Sequence, residues 1–205
     1  KAAGADTVAP SAIRAAGEIF TEQGMAGFDQ PRALETAEIP GVIAEFANAA
    51  TNARAAGFDG VELHCTSGYL PAQFLSSNSN HRTDAYGGSA ANRARFAVEA
   101  LEAMAAAIGA GRVGFRICPG NPFNDIHDED PAETYGALLG ATGGIGLAYL
   151  HLIDVANPQV DSLALAKSHW TSRLILNEGM TRERAEGLLR DGVADAFSFG
   201  RPFIG

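Results

Sequence analysis

The 205-residue chain carries 15 Lys and Arg against 24 Asp and Glu, a formal net charge of -9, with 46% hydrophobic and 19% charged residues. That acidity argues against a nucleic acid or an anionic membrane as partner, since both call for a basic face, and the chain is too apolar to be disordered. Two cysteines, Cys65 and Cys118, cannot build a disulfide framework and lie in no Cys-x-x-Cys metal pattern. With no apolar run near the roughly 18 residues of a membrane span and no signal-peptide layout, a reducing, cytoplasmic setting is the expectation. The first residue is Lys1, not Met, which points to a processed or truncated start.

The elements follow in chain order as one domain over 1–205. Residues 1–37 hold Pro, Gly and scattered apolar residues without a sustained period, and read as a loop excursion. Within it, Ser11–Ile13 and Glu18–Phe20 are expected to form a small hairpin across Ala15-Ala16-Gly17. From Glu38 the pattern turns helical, with Val42, Phe46, Ala49, Ala50 and Ala53 at three-four spacing and Pro40 in the first turn. Gly57 ends that helix. Val61-Glu62-Leu63 is a short apolar strand that ends in the polar run His64-Cys65-Thr66-Ser67-Gly68-Tyr69.

The unit then recurs. Phe96–Ile108 reads as a helix stopped by Gly109-Ala110-Gly111, and Val113–Ile117 as the next strand. Asp130-Pro131-Ala132-Glu133 is a capped helix start, and that helix runs to about Thr142 before a strand over Leu147–Ile153. A weaker helix over Asp161–His169 precedes a strand at Leu174–Leu176. A helix over Thr181–Arg190, closed by Gly192, precedes the last strand at Ala196–Phe199. Helix, glycine, apolar strand and polar exit repeat five times, which demands a parallel sheet. No GxGxxG follows the first strand, so a dinucleotide-binding sheet is disfavoured. A (β/α)8 barrel fits better, although such barrels take about 250 residues and only five units are visible. Five strands leave two unpaired edges, and with strands apolar on both faces, as over Leu147–Ile153, an open apolar interior is expected.

Polar residues at the carboxyl ends of buried strands are where βα proteins carry chemistry. His64 and Ser67 can hydrogen-bond a substrate oxygen, and Tyr69 can give up a proton. Arg116 ends a buried strand, so its guanidinium needs a partner: either a carboxylate in the barrel, such as Glu62, or a ligand. Gly179 and the pair Gly200-Arg201 follow the last two strands, where backbone N–H groups commonly bind phosphate.

His64-x-x-Ser67-x-Tyr69-Leu70, Gln73-Phe74-Leu75, Asn80-x-Arg82-Thr83-Asp84-x-Tyr86-Gly87-Gly88-Ser89 and Asn92-Arg93-x-Arg95-Phe96 together resemble the old yellow enzyme family of flavin-dependent ene-reductases. The likeness extends from about Val8 to Gly205. It implies a barrel of which strands four to eight are present, binding FMN and drawing hydride from NAD(P)H to reduce activated alkenes such as enones. By resemblance, Tyr69 is the proton donor, His64 and Ser67 clamp the substrate carbonyl, and Phe123 and Asn124 lie near the substrate. Arg116 then contacts the polar edge of the flavin ring, and Gly179, Gly200 and Arg201 hold its phosphate. The Arg82–Gly88 run is assigned to loop architecture.

Two departures from the family pattern stand out. Ser67 replaces the usual Asn or His, and Glu178 stands in Asn177-Glu178-Gly179 where relatives have Asn-Gly-Gly. Two other readings remain open. One is a truncated, non-catalytic segment that self-associates or pairs with a missing N-terminal half. The other is a non-flavin barrel using Arg201 for a substrate phosphate.

Overall fold

A computed structural model describes residues 6–157, 159–200 and 204. Its centre is a five-stranded parallel sheet: β5 (Val61–Cys65), β6 (Val113–Ile117), β7 (Tyr149–Ile153), β8 (Leu174–Asn177) and β9 (Ala196–Phe197). The strand order follows the chain, β5-β6-β7-β8-β9, with no reversal. That order excludes a doubly wound sheet, whose ligand crevice lies where the order reverses. Among the described residues, β5 and β9 each pair on one side only.

The helices that precede and connect these strands lie on one side of the sheet. They are α1 (Ile39–Ala55), α2 (Leu70–Leu75), α3 (Ala90–Ile108), α4 (Pro131–Thr142), α5 (Ser162–His169) and α6 (Arg182–Arg190). Strand residues alternate between faces. Leu63, Cys65, Val113, Phe115, Ile117, Leu150, Leu152, Leu174 and Leu176 point to the helices and form the main core with Leu101, Leu138 and Leu139. A second cluster joins Leu34, Ile39, Ile43, Phe74, Tyr86 and Phe96, with the Phe74 and Phe96 rings stacked at 4.1 Å.

The other face corrects the expectation of an apolar interior. Glu62, His64, Arg116, Tyr149, His151 and Asn177 alternate with the core residues and turn away from the helices. Leu150 and Leu152 are fully buried against the helices, whereas His151 between them hydrogen-bonds Glu62 on the inner face. Gly114 leaves room there: a Cβ at this position would lie 2.8 Å from Cδ2 of Tyr149.

Local rules explain the helix starts. Asp130, Asp161 and Thr181 each accept a hydrogen bond from the backbone N–H three residues on. α3 begins at Ala90, six residues before the expected Phe96, because Ser89 caps it by accepting from the Asn92 N–H. The strand expected from Leu147 starts at Tyr149, and that expected to reach Phe199 ends at Phe197.

The N-terminal excursion contains a hairpin, but not the expected one. β2 (Glu18–Thr21) pairs antiparallel with β3 (Gly24–Gly27), and Ser11–Ile13 is not a strand. The turn is Glu22-Gln23, followed by Gly24 at φ 106°, a value glycine adopts without cost. β1 (Val8–Ala9) pairs with β4 (Arg32–Ala33). Arg82 ties this excursion down. Its Nη1 donates to Pro10 O (3.0 Å) and Leu34 O (2.5 Å), while Nε and Nη2 grip Asp84. That guanidinium holds the Asp84 carboxyl far below the usual carboxylate range. Asn80 Nδ2 donates to both Phe74 O and Tyr86 O. The Arg82–Gly88 run therefore serves architecture. Among the described residues, no helix is long and apolar enough to cross a membrane, and no three His, Cys, Asp or Glu could hold a metal ion.

Candidate active site

The strand register aligns one residue from each strand in a row: His64, Arg116, His151, Ile175 and Ala196 are successive partners across the sheet. All five share a face with Glu62, one inward step below, and with Asn177 and Ser198, one step above. A cavity of about 690 Å³ opens on this face below the row, lined in part by Glu62, Tyr149, His151, Ile175 and Ser198 together with Gly60 and Arg112 at the amino ends of the strands; His64 and Arg116 do not line it.

Arg116 is partly buried beside His64, and its Nη2 donates to Asn177 Oδ1 at 2.6 Å. Glu62, the carboxylate considered as its partner, instead accepts from His151 Nδ1 at 2.9 Å. The Arg116 Nε is buried with no hydrogen-bond partner. An unsatisfied buried donor of this kind costs about 1–3 kcal/mol, a cost that a ligand acceptor would remove. The free Nε–H thus fits a ligand that brings an acceptor atom to it.

His64 stands beside Arg116, and its ring centroid is 5.4 Å from that of Tyr69. Burial, helped by the Arg116 charge, lowers the His64 pKa below its ordinary value, so the ring is neutral at pH 7 and offers one N–H donor. Tyr69 lies at the N-terminus of α2 with a 57% exposed side chain, free to meet a ligand. Burial tends to raise the Glu62 pKa, but hydrogen bonds from His151 and Tyr149 and the nearby Arg116 charge hold it below the ordinary value. Glu62 is therefore ionised at pH 7.

The loops after β5 and β6 are clasped together. Asn124 Nδ2 donates to Ser67 O at 2.6 Å, and Asn121 Nδ2 donates to Thr66 Oγ1 at 3.0 Å. Ser67 and Gly68 both take left-handed backbone, φ 59° and 74°, and a Cβ on Gly68 would lie 2.6 Å from Asn124 Cβ. The Asn124 amide nitrogen is thus committed to the loop, while Phe123 next to it is 69% exposed at the rim. His64, Ser67, Tyr69, Phe123, Asn124 and Arg116 come together on or beside these two strand ends.

Gly179 follows β8, and its carbonyl accepts from Arg184 Nη1 at 3.2 Å. Gly200 is exposed, with open space where a Cβ would stand. Arg201 lies outside the described residues. Glu178, the departure noted in the sequence, is exposed and held at φ 81°. A left-handed backbone costs a residue with a Cβ about 1–2 kcal/mol, partly balanced by the greater unfolded-state freedom of glycine. Glu178→Gly is therefore expected to stabilise the fold by about 0.5–1 kcal/mol, raising Tm by about 2 °C. Thermal unfolding followed by circular dichroism measures this, and a lowered Tm would contradict it.

Sequence reasoning missed the inner-face partnerships of His151, Asn177 and Ser198. The signal available was the period of two in Tyr149–Ile153, which puts His151 on the face opposite Leu150 and Leu152.

Residues 2–205 match the family described as NADH:flavin oxidoreductase / NADH oxidase. The chain is 38% identical over 189 residues to a putative 12-oxophytodienoate reductase 10 of Oryza sativa subsp. japonica, covering 86% of this chain and 60% of that protein. It is 39% identical over 204 residues to a probable flavin mononucleotide-dependent alkene reductase of Leishmania infantum, covering 96% of this chain and 56% of that one. The fold matches the old yellow enzyme homologue from Zymomonas mobilis with a TM-score of 0.95 at 35% identity, over 98% of this chain and 59% of the other. Morphinone reductase in complex with tetrahydroNAD matches with a TM-score of 0.89 at 39% identity, over 98% and 57%. The chain thus spans between about half and three fifths of each of these relatives. Its sheet order, inner-face arginine and strand-end His64 and Tyr69 are accompanied by a family match along nearly its whole length: the chain belongs to the NADH:flavin oxidoreductase / NADH oxidase family.

Proposed function

We propose that this chain is the strand-four-to-eight portion of a (β/α)8 barrel that binds FMN and reduces activated alkenes such as enones with NAD(P)H. The observation that carries the reading is Arg116, whose buried Nε lacks a partner beside His64 on the open inner face. FMN, when bound, supplies hydride drawn from the nicotinamide. The chain's own residues hold, orient and protonate. Arg116 faces the polar edge of the ring, where positive charge favours the anionic reduced form. Gly179, Gly200 and Arg201 hold the phosphate. Neutral His64 and Ser67 donate to the substrate carbonyl, and Tyr69 passes a proton to the α carbon. Phe123 walls the substrate side, and Asn124 fixes the Ser67 backbone. Cys65 and Cys118 are buried and free, and burial pushes the Cys118 thiol up to about 12, so neither is a candidate nucleophile.

Titration of FMN into the purified chain, read by quenching of flavin fluorescence, tests the reading. Saturable quenching that phosphate esters without a flavin ring do not abolish supports it. No quenching, with or without a supplied N-terminal half of the barrel, would sink it.

A second reading, association through open edges, is favoured by β5. Beside its unpaired edge lies a groove lined by Phe46, Val61, Leu63, Leu70 and Met104. Unpaired edges and exposed apolar surface generally find a partner. Sedimentation is expected to show dimers or larger species at micromolar concentration. A monomer retaining stoichiometric FMN would contradict this.

A further inference from the structure

A chain of hydrogen bonds takes one residue from each of the five strands or its immediate end and finishes at Arg116. Glu62 Oε2 accepts from His151 Nδ1 at 2.9 Å, and His151 Nε2 shares a 2.8 Å bond with Ser198 Oγ. The Ser198 carbonyl accepts from Asn177 Nδ2 at 3.0 Å, and Asn177 Oδ1 accepts from Arg116 Nη2 at 2.6 Å.

The donor and acceptor chemistry gives this chain a sense. A guanidinium only donates, so the Asn177 amide must turn its oxygen to Arg116 and its NH2 to Ser198. The ionised Glu62 only accepts, so the His151 proton sits on Nδ1 and the ring cannot turn over without losing that bond. Tyr149, whose phenol is pushed up to about 12 by burial and by its bond to Glu62, braces the carboxylate from the row below. The guanidinium is planar, so fixing Nη2 also fixes the direction of Nε–H. Among the described residues, that N–H is the one side-chain polar group of this hydrogen-bonded series left buried without a partner; Asp128 Oδ2 and Ser162 Oγ, which share that state, lie outside it.

We propose that Glu62, His151, Ser198 and Asn177 form a positioning relay that sets the plane of the Arg116 guanidinium and so presents its Nε–H to the edge of the bound ring. This deepens the flavin reading and rests on it. The four residues touch no ligand themselves. They convert the tilt of five strands into the aim of one donor, as supporting hydrogen bonds do around other preorganised sites.

Two measurements test the relay. The first needs no flavin: 15N relaxation of the Arg116 Nε–H in the ligand-free protein. The wild-type group is expected to be as rigid as the strand backbone, and His151→Leu or Ser198→Ala to loosen it while distant backbone amide signals stay in place. An Arg116 equally rigid in both variants overturns the relay. The second is a double-mutant cycle on FMN affinity. His151→Leu is expected to weaken binding about tenfold when Arg116 is present and not at all in Arg116→Ala, because groups acting through one network are not additive. An equal loss in both backgrounds overturns it. Ser198→Ala removes only a hydroxyl and carries both measurements if His151→Leu does not fold. If the wild-type chain takes no FMN even with a supplied N-terminal half of the barrel, the flavin reading falls and the relaxation result alone decides the relay.

Discussion

Tyr69→Phe is expected to slow alkene reduction by about 100- to 10,000-fold, the range of general acid contributions, while leaving flavin reduction by NAD(P)H intact. The residue is 57% exposed, with its ring 5.4 Å from that of His64, so removing the hydroxyl leaves no buried cavity. Folding should be unaffected. Under the proposed mechanism, what would be lost is the proton for the α carbon, a step of the oxidative half-reaction alone. Stopped-flow traces of flavin-loaded protein, with the two half-reactions separated, decide the matter. Equal slowing of both, or of neither, would reject Tyr69 as the acid.

Arg116→Ala is expected to weaken FMN binding by about tenfold to a hundredfold, since a hydrogen bond from a charged group contributes about 1.5–3 kcal/mol. The substitution also strands Asn177 Oδ1, whose bond from Nη2 is lost. Arg116→Lys separates charge from shape. An ammonium keeps the positive charge, but its single nitrogen cannot reproduce the planar fork that spans Asn177 and a ring edge. It should recover part of the affinity and no more. Arg201→Ala is expected to lose a similar factor through the phosphate. Fluorescence titration at matched folding gives all three, and unchanged affinity in Arg116→Ala and Arg201→Ala would remove the cofactor assignment.

The order and kind of the large elements were legible because they depend on local chemistry. Asp130 caps α4 and Pro131 opens it as their types require, and Gly57 at φ 94° stops α1. Errors arose where two local signals competed. Ala15-Ala16-Gly17 reads as a turn as well as Glu22-Gln23-Gly24 does, and only the pairing of Ile19 with Ala26 decides between them. Gly87-Gly88 reads as loop, which hid the cap at Ser89. α2 is six residues long, too short for a helical period to show. Among the candidate site residues, His64, Ser67, Tyr69 and Arg116 stand out by motif and strand end. Their partners do not. Glu62 was the natural guess for Arg116, yet strand tilt brings Asn177 to the guanidinium and His151 to Glu62. Such pairings depend on the register of strands some 60 to 90 residues apart, which no local pattern encodes.

The unreversed strand order also governs how the molecule is made. Each strand from β6 to β9 pairs with the one synthesised immediately before it, so a partner has already emerged when each of them leaves the ribosome. Each βα unit, once emerged, adds to an edge already formed; the connection to be closed carries α2 and α3 after β5 and a single α-helix after each of β6, β7 and β8. Pairing with the neighbour in the chain keeps the loop-closure entropy lower than a more distant pairing would, while each parallel pairing still waits for its crossover to form, which makes it slower than a hairpin or a helix. The same arrangement leaves the newest strand as the exposed edge throughout synthesis, which is the state most open to pairing with a neighbouring nascent copy.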